Sequence, residues 1–213
     1  MSRWRPPRSS ARATVDCWSS WEVLVRWRCT WFGPVFSSVE DQQETVAKAL
    51  ALGGRHLDVG QLPEEGHVVL ADPEGNEFCV IEPGNGFLAG CGFLGELACD
   101  GTQQVGYFWS KALGWPLVWD QDEETAIQSP RGGSKMAWGG PPVNPKTGKN
   151  TLHLDIAPAA GDDQYAEVER LTALGARRTA DVHDDPGAST LADPDGNEFC
   201  VLAPPQGTRR LRR

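Results

Sequence analysis

The sequence contains no long hydrophobic run, because no apolar stretch approaches the roughly 20 residues that a helix needs to span a bilayer. It also lacks an excess of positive charge. Its 213 residues carry 20 Lys and Arg against 29 Asp and Glu, which gives a formal net charge of -9. Nucleic acids and anionic membrane surfaces both select basic protein faces. We therefore expect neither a nucleic-acid partner nor a membrane partner.

The cysteines lack the spacing of a disulfide framework or a zinc-binding motif. The chain has six of them, and no two form a CxxC pair. The N-terminus is rich in arginine but has no continuous apolar core of the kind that a secretory signal requires. Reduced thiols in a chain without such a signal indicate a cytoplasmic protein.

The main positive feature of the sequence is an internal repeat. Residues 70–83 read LADPEGNEFCVIEP, and residues 191–204 read LADPDGNEFCVLAP. The similarity extends upstream, where residues 50–59 parallel residues 171–182. Two copies of one helix-then-strands unit predict a duplicated module. In such a protein we expect a site to lie between copies rather than inside one.

Hydrophobic periodicity divides the chain into helices and short strands. Helices are predicted at 41–52, 102–113 and 163–174, and a glycine follows each of them. Residues 1–28 are rich in tryptophan, arginine, proline and serine, so we predict an irregular or disordered leader there. Residues 206–213 form a basic tail.

Several motifs occur in a characteristic order: GELACD, FWSKALGW, PKTGKNTLHLDIAP and two DPxGNEFCV strands. This order resembles the glyoxalase/bleomycin-resistance/dioxygenase family of the vicinal oxygen chelate superfamily. The resemblance implies an α+β fold in which repeated βαβββ modules form curved mixed sheets around a cavity, with the helices on the outer face.

The same resemblance implies a division of the chain into units. Residues 29–84 would form an incomplete glyoxalase-like domain of one module, 85–92 a linker, and 93–205 a complete domain of two modules. The unpaired first module would pack on the second domain or pair with another chain, so a homodimer is a candidate assembly.

Metal-dependent members of that family place ligands on the first and last strands of their modules. The first-strand position falls at His153, and at Glu96 in the preceding module. Cys200 and Cys79 stand where a last-strand glutamate is usual. The resemblance therefore implies a divalent metal ion (Zn, Fe, Mn or Ni) held by His153, Glu96 and Cys200.

Strand parity gives an independent interpretation of the same residues. Alternate side chains of a strand share a face, which groups His153 with Asp155 and Glu198 with Cys200. All four line one cavity face if the two strands are neighbours. His153 beside a carboxylate is a candidate general base, so His153 and Glu198 are the predicted catalytic residues. Alternatively, His153 is a hydrogen-bonded structural residue, the cysteines are small buried hydrophobes, and no cofactor binds.

An aromatic cluster supplies the candidate substrate-binding residues. They are Trp109, Trp115, Trp119 and Trp138, with Arg131 or Lys135 placed to meet an anionic group of a ligand. The alternative is ordinary packing of these tryptophans in the core and in a hairpin.

Three classes of function remain open on these patterns. The first is a metal-dependent lyase, isomerase or dioxygenase acting on a small molecule. The second is a metal-free binder of small molecules, such as a drug-sequestering resistance protein. The third is a non-catalytic module whose pairing serves association. Because one fold hosts many activities, the pattern alone assigns a glyoxalase-like domain without a specific reaction.

Overall fold

The computed structural model describes residues 22–26, 30–32, 36–61, 65–92, 94–143, 146, 148, 153–179 and 187–204. Most of the predicted leader and the basic tail at 206–213 lie outside these residues. Within the range 1–28, Glu22–Arg26 forms a strand. No helix in the described ranges has both the length and the apolar character needed to cross a bilayer.

Three helices are present in the described part of the chain, and their ends lie within about two residues of the predicted ones. They are α1 (Val39–Ala51), α2 (Gln103–Leu113) and α3 (Gln164–Leu174). Helix α1 begins before its predicted start because Ser38 caps it. The Ser38 hydroxyl accepts the Asp41 N–H at 3.2 Å, which satisfies one of the free donors of the first turn.

The strands of the described residues are short and fall into the predicted order. They are β1 (Glu22–Arg26), β2 (Thr30–Phe32), β3 (Arg55–His56), β4 (Val68–Ala71), β5 (Glu77–Val80), β6 (Glu96–Cys99), β7 (Leu117–Gln121), β8 (Glu124–Gln128), β9 (Lys135–Trp138), β10 (His153–Ala157), β11 (Arg177–Arg178), β12 (Ser189–Ala192) and β13 (Glu198–Val201). A strand, a helix and three strands occur three times, beginning at β2, β6 and β10. The predicted α+β fold of repeated βαβββ modules is confirmed.

The strands form two sheets. The first two modules join into an eight-stranded sheet of order β3-β4-β5-β2-β6-β9-β8-β7. The third module forms a five-stranded sheet of order β1-β10-β13-β12-β11. In both sheets the first strand of a module pairs in parallel with its last strand. The first strands β2 and β6 pair in antiparallel fashion, and so do β1 and β10. Strand β1 therefore holds the same place beside β10 that β2 holds beside β6.

The main hydrophobic core joins the second and third modules. It contains Trp109 of α2 and Phe199 of β13, whose rings lie 4.9 Å apart in an edge-on arrangement. A smaller cluster is built around Val69 and Cys79 of the first module and Leu88 of the segment that follows it. The second module thus shares its sheet with the first module and its core with the third. The predicted domain boundaries at 29–84 and 93–205 stay a prediction.

Candidate functional site

Three buried side chains of the five-stranded sheet form a candidate metal-binding site. His153 and Asp155 lie on β10 and Cys200 on β13, and they are 8 %, 7 % and 0 % exposed. One potential ligand atom from each lies within 4.8 Å of the other two. His153 Nε2 is 3.0 Å from Asp155 Oδ1. A nitrogen, an oxygen and a sulfur donor gathered at this spacing form a set that zinc or iron accepts.

The pairing of β10 with β13 creates this arrangement. The strands run in parallel with Asp155 opposite Cys200, and residues two apart on a strand share a face, which adds His153. Leu154 and Phe199, which alternate with these residues, belong to the main core. Because burying the apolar side chains fixes the register, the polar side chains must point to the opposite face.

Glu198 lies beside this group, two residues before Cys200, and is 8 % exposed. Lys146 Nζ is 2.5 Å from Glu198 Oε2, so an ion pair compensates the charge of this nearly buried carboxylate. The hydroxyl of Thr190, on the neighbouring strand β12, lies 3.9 Å from Cys200 Sγ. Sequence reasoning did not assign Lys146 to the site, because it belongs to a polar, proline-broken loop whose pattern gives no such signal.

Glu96, the remaining predicted ligand, lies on the other sheet. It is on β6, paired with Lys135 of β9, and the group of potential ligand atoms around His153 and Cys200 does not include it. Burial raises the pKa of Glu96 to about 7, with Lys135 opposing that rise and Glu124 adding to it. The third residue gathered with His153 and Cys200 is Asp155. Its spacing of two residues from His153 was the signal for it.

Cys79 holds the position in the first copy of the repeat that Cys200 holds in the second. Its surroundings differ, because it is packed with Val69, Ile81 and Leu88 in the smaller core cluster. Burial, together with the charges of Glu77 and Glu96, raises the pKa of the Cys79 thiol to about 12. Among the described residues, the group of potential metal ligands does not include Cys79.

The predicted aromatic residues do not line one pocket. Trp109, Trp115 and Trp138 belong to the main core and are at most 4 % exposed. Trp119 lies on the opposite face of the eight-stranded sheet, where its ring meets that of Phe87. Arg131 lies in the exposed turn before β9. Trp109 lies on the inner face of α2, Trp115 follows the end of that helix, and Trp138 lies on β9 with its side chain in the same core, which explains their burial.

The comparisons with known proteins agree with this architecture. The sequence model of the glyoxalase-like domain matches residues 35–81 and 96–202. The chain belongs to the glyoxalase-like domain family. The family resemblance expected from the sequence motifs is thereby confirmed. The comparison with the curated proteins finds no match.

Solved structures share the fold of this glyoxalase-like protein. Glyoxalase I from Zea mays matches with a TM-score of 0.50 and 15% sequence identity, over 86% of this chain and 79% of the maize chain. A mutant of the same maize enzyme matches with a TM-score of 0.51 and 18% identity, over 84% of this chain and 70% of the other. At these identities the similarity establishes the fold, and the chemistry must be argued from the side chains.

Proposed function

We propose that this glyoxalase-like protein is a divalent-metal-dependent enzyme acting on a small molecule, as a lyase, isomerase or dioxygenase. The proposal rests on one observation, the buried group of His153, Asp155 and Cys200 on adjacent strands. A homodimer and a cytoplasmic location are the assembly and the compartment that we predict for it.

The donor set fits a transition metal. Zinc binds histidine nitrogen, carboxylate oxygen and cysteine sulfur at about 2.0–2.3 Å, so its ligand atoms lie about 3–4 Å from one another. The potential ligand atoms of the three side chains lie within 4.8 Å of one another. A sulfur ligand favours zinc or iron over manganese. Three protein ligands leave a further position for water or substrate, which is the arrangement of catalytic zinc sites.

The chain's own residues would divide the remaining work. A bound metal ion would act as a Lewis acid toward an oxygen of the substrate. Glu198, on the same face two residues from Cys200, is placed to accept or return a proton. Its ion pair with Lys146 holds the carboxylate in position. Burial of the face limits the access of bulk water.

Metal analysis of untagged protein tests the proposal. We expect about one equivalent of zinc or iron in the wild type, and its loss in His153→Ala and Cys200→Ala. Cobalt substitution adds a readout that does not need a substrate, since a cysteine thiolate bound to Co(II) gives a charge-transfer absorption that Cys200→Ala must abolish. Hemithioacetals and catechols are the first substrates to test on the loaded protein.

Cys79→Ala is the matched control, because Cys79 occupies the same repeat position on the other sheet. We expect this variant to keep its metal. The proposal is wrong if wild-type protein, after incubation with Zn(II), Fe(II), Mn(II) or Ni(II), binds none of them above the level of the His153→Ala variant. Metal-free binding of a small molecule would then be the better account of this family member.

A further inference from the structure

Helix α1 of the first module lies at the same place on its module as α3 does on the third. Gln42 of α1 donates through Nε2 to the carbonyls of Gly66 and Val80, at 2.9 and 3.0 Å. Gln164 of α3 makes the two corresponding hydrogen bonds in the third module. The two helices can therefore be compared residue by residue.

The apolar side chains that this comparison matches are buried in α3 and open in α1. Val168 and Leu171 of α3 are 1 % and 0 % exposed, and Leu174 packs against the main core. Their counterparts in α1 are Val46, Ala49 and Leu52. The first two of these are partly buried, and Leu52 is 81 % exposed.

The strand beneath each helix shows the same difference. Phe199 of β13 is fully buried, and its ring contacts those of Phe108 and Trp109 in the second module. Its counterpart Phe78 of β5 lies opposite Leu70, as Phe199 lies opposite Leu191, but is only partly buried. We call the four apolar residues of the first module the first-module patch: Val46, Ala49, Leu52 and Phe78.

The second and third modules bury the corresponding surfaces against each other. Helix α2 contacts α3, and Arg170 of α3 donates to the carbonyls of Lys111 and Ala112 at the end of α2. Helix α1, in contrast, has its main contacts with β5 of its own module. An apolar surface in contact with water is unfavourable, and association with another apolar surface recovers that free energy.

The contact between the second and third modules shows what kind of surface fits the first-module patch. It is the helix face of another βαβββ module. Among the modules in the described residues, the first is the one whose helix face another module does not bury. A second copy of this chain therefore offers the matching surface, and the same patch on both copies makes a two-fold contact.

Lys48 fits this arrangement. It is the counterpart of Arg170, and its side chain is 70 % exposed and paired with Glu44 on the same helix. Basic side chains interact favourably with the last carbonyls of a helix. Lys48 would reach the end of α1 in the second copy, as Arg170 reaches the end of α2 within one chain.

Glu74 opposes association. It is the counterpart of Asp195, which contacts the first residue before α2, and it would approach the acidic first turn of α1 in the second copy. Salt at about 0.15 M screens exposed charges that are more than about 8 Å apart. Association is therefore measured at this ionic strength or above.

We infer that the first-module patch is the surface through which two copies of this chain associate, with α1 packed against α1 of the second copy. The inference names the surface of the predicted homodimer. It does not depend on the proposed metal site, because His153, Asp155 and Cys200 lie on the five-stranded sheet and the patch belongs to the first module.

Sedimentation velocity from about 1 to 200 μM protein tests the inference. The wild type should change from monomer to dimer over this range. Leu52→Lys should raise the dissociation constant about tenfold or more, because two leucines leave the interface and two charges enter it. Val118→Lys is the matched control, since Val118 is a 41 % exposed apolar residue of β7 in the second module, and it should have no effect.

A second measurement needs no disruptive substitution. In methyl-labelled wild-type protein, the Leu52 methyl resonances should shift as the protein concentration rises, and their absence from Leu52→Ile identifies them. If Leu52→Lys fails to melt cooperatively, Leu52→Gln replaces it. Metal content, measured on the same variant, should equal that of the wild type, which separates a failure of this inference from a failure of the metal site.

Three results would overturn the inference. The first is a wild type that stays monomeric over the whole concentration range. The second is a dimer whose dissociation constant is the same in the folded Leu52 variant, which would place the contact elsewhere, such as at the edge of β1. The third is a Leu52 methyl resonance that does not move while the dimer forms.

Discussion

Asp72 and Asp193 open the two copies of the DPxG turn, and at the scale of single residues they show how packing changes the chemistry of one repeated position. Asp193 is fully buried and accepts the Trp109 indole N–H at 3.2 Å. Burial raises the pKa of Asp193 to about 6, although hydrogen bonds from Asn197 and Trp109 oppose that rise. At Asp72 burial also acts upward, but the hydrogen bonds of its turn outweigh it and lower the pKa.

This contrast predicts opposite effects of pH at the two turns. Because the pKa of Asp193 is higher in the folded protein than in the unfolded chain, its protonation stabilises the fold below about pH 4, and that contribution is lost as pH rises through about 6. Between these values the unfolding free energy of the wild type should fall by up to about 3 kcal/mol relative to that of Asp193→Asn. Urea titrations at successive pH values measure the difference.

Asp72→Asn is the control for that experiment. Its aspartate has a lowered pKa in the folded state, so the wild type should gain stability relative to this variant as pH rises through the acid range. Parallel stability curves for the wild type and Asp193→Asn between pH 4 and 7 would contradict the burial argument.

At the scale of elements, helix α2 is capped by a residue of another module. Its N-cap residue Thr102 makes no capping hydrogen bond with its own side chain. Instead Asp195, in the second DPxG turn, accepts the Thr102 backbone N–H at 2.6 Å and the Thr102 hydroxyl at 3.0 Å. A carboxylate at a helix N-terminus satisfies a free donor and interacts favourably with the helix dipole.

Removing that carboxylate should destabilise the protein by about 1 kcal/mol, the usual cost of losing a helix cap. The substitution is Asp195→Ala, and the measurement is the unfolding free energy from urea denaturation. Glu74→Ala is the matched control, because Glu74 holds the same place in the first turn and is exposed. Equal losses in the two variants would show that the turn itself, rather than the contact with α2, determines the effect.

The helices and the faces of the strands could be predicted from the sequence because both depend on local periodicity. The alternation of Leu154 and Ile156 with His153 and Asp155 already separates a core face from a polar face, and the structure keeps that division. The cap of α2 could not be predicted in this way. Asp195 and Thr102 are far apart in the chain, and no local pattern records their contact.

At the scale of the whole molecule, the pairing of modules was likewise beyond local patterns. The sequence predicts three modules, but the partner of each depends on which strand edges meet. Glu96 was therefore predicted as a ligand alongside His153, although β6 pairs with β2 and β9, whereas β10 pairs with β1 and β13. The same limit applies to Trp119 and Phe87, whose contact depends on residues 85–92 folding back on the sheet.

The second module shares a sheet with the first module and a hydrophobic core with the third. Fragments of the chain can show which of these two contacts is required for cooperative folding. The main core lies wholly within residues 93–205. Apolar burial is the dominant stabilising term in folding, so a fragment of 93–205 should unfold in one cooperative transition. Its Tm should be lower than that of the full chain, because β6 and β10 lose their neighbours β2 and β1.

The reciprocal fragment, 29–138, retains the whole eight-stranded sheet but loses the part of the core that α3 and β13 supply. It keeps most of the inter-strand hydrogen bonds and exposes the inner face of α2, so we expect compact chains without a cooperative melt. Circular dichroism at near- and far-ultraviolet wavelengths distinguishes the two fragments. A cooperative melt of 29–138 together with a molten 93–205 would mean that the continuous sheet, rather than the shared core, is the folding unit, and the predicted boundary at residue 93 would be wrong.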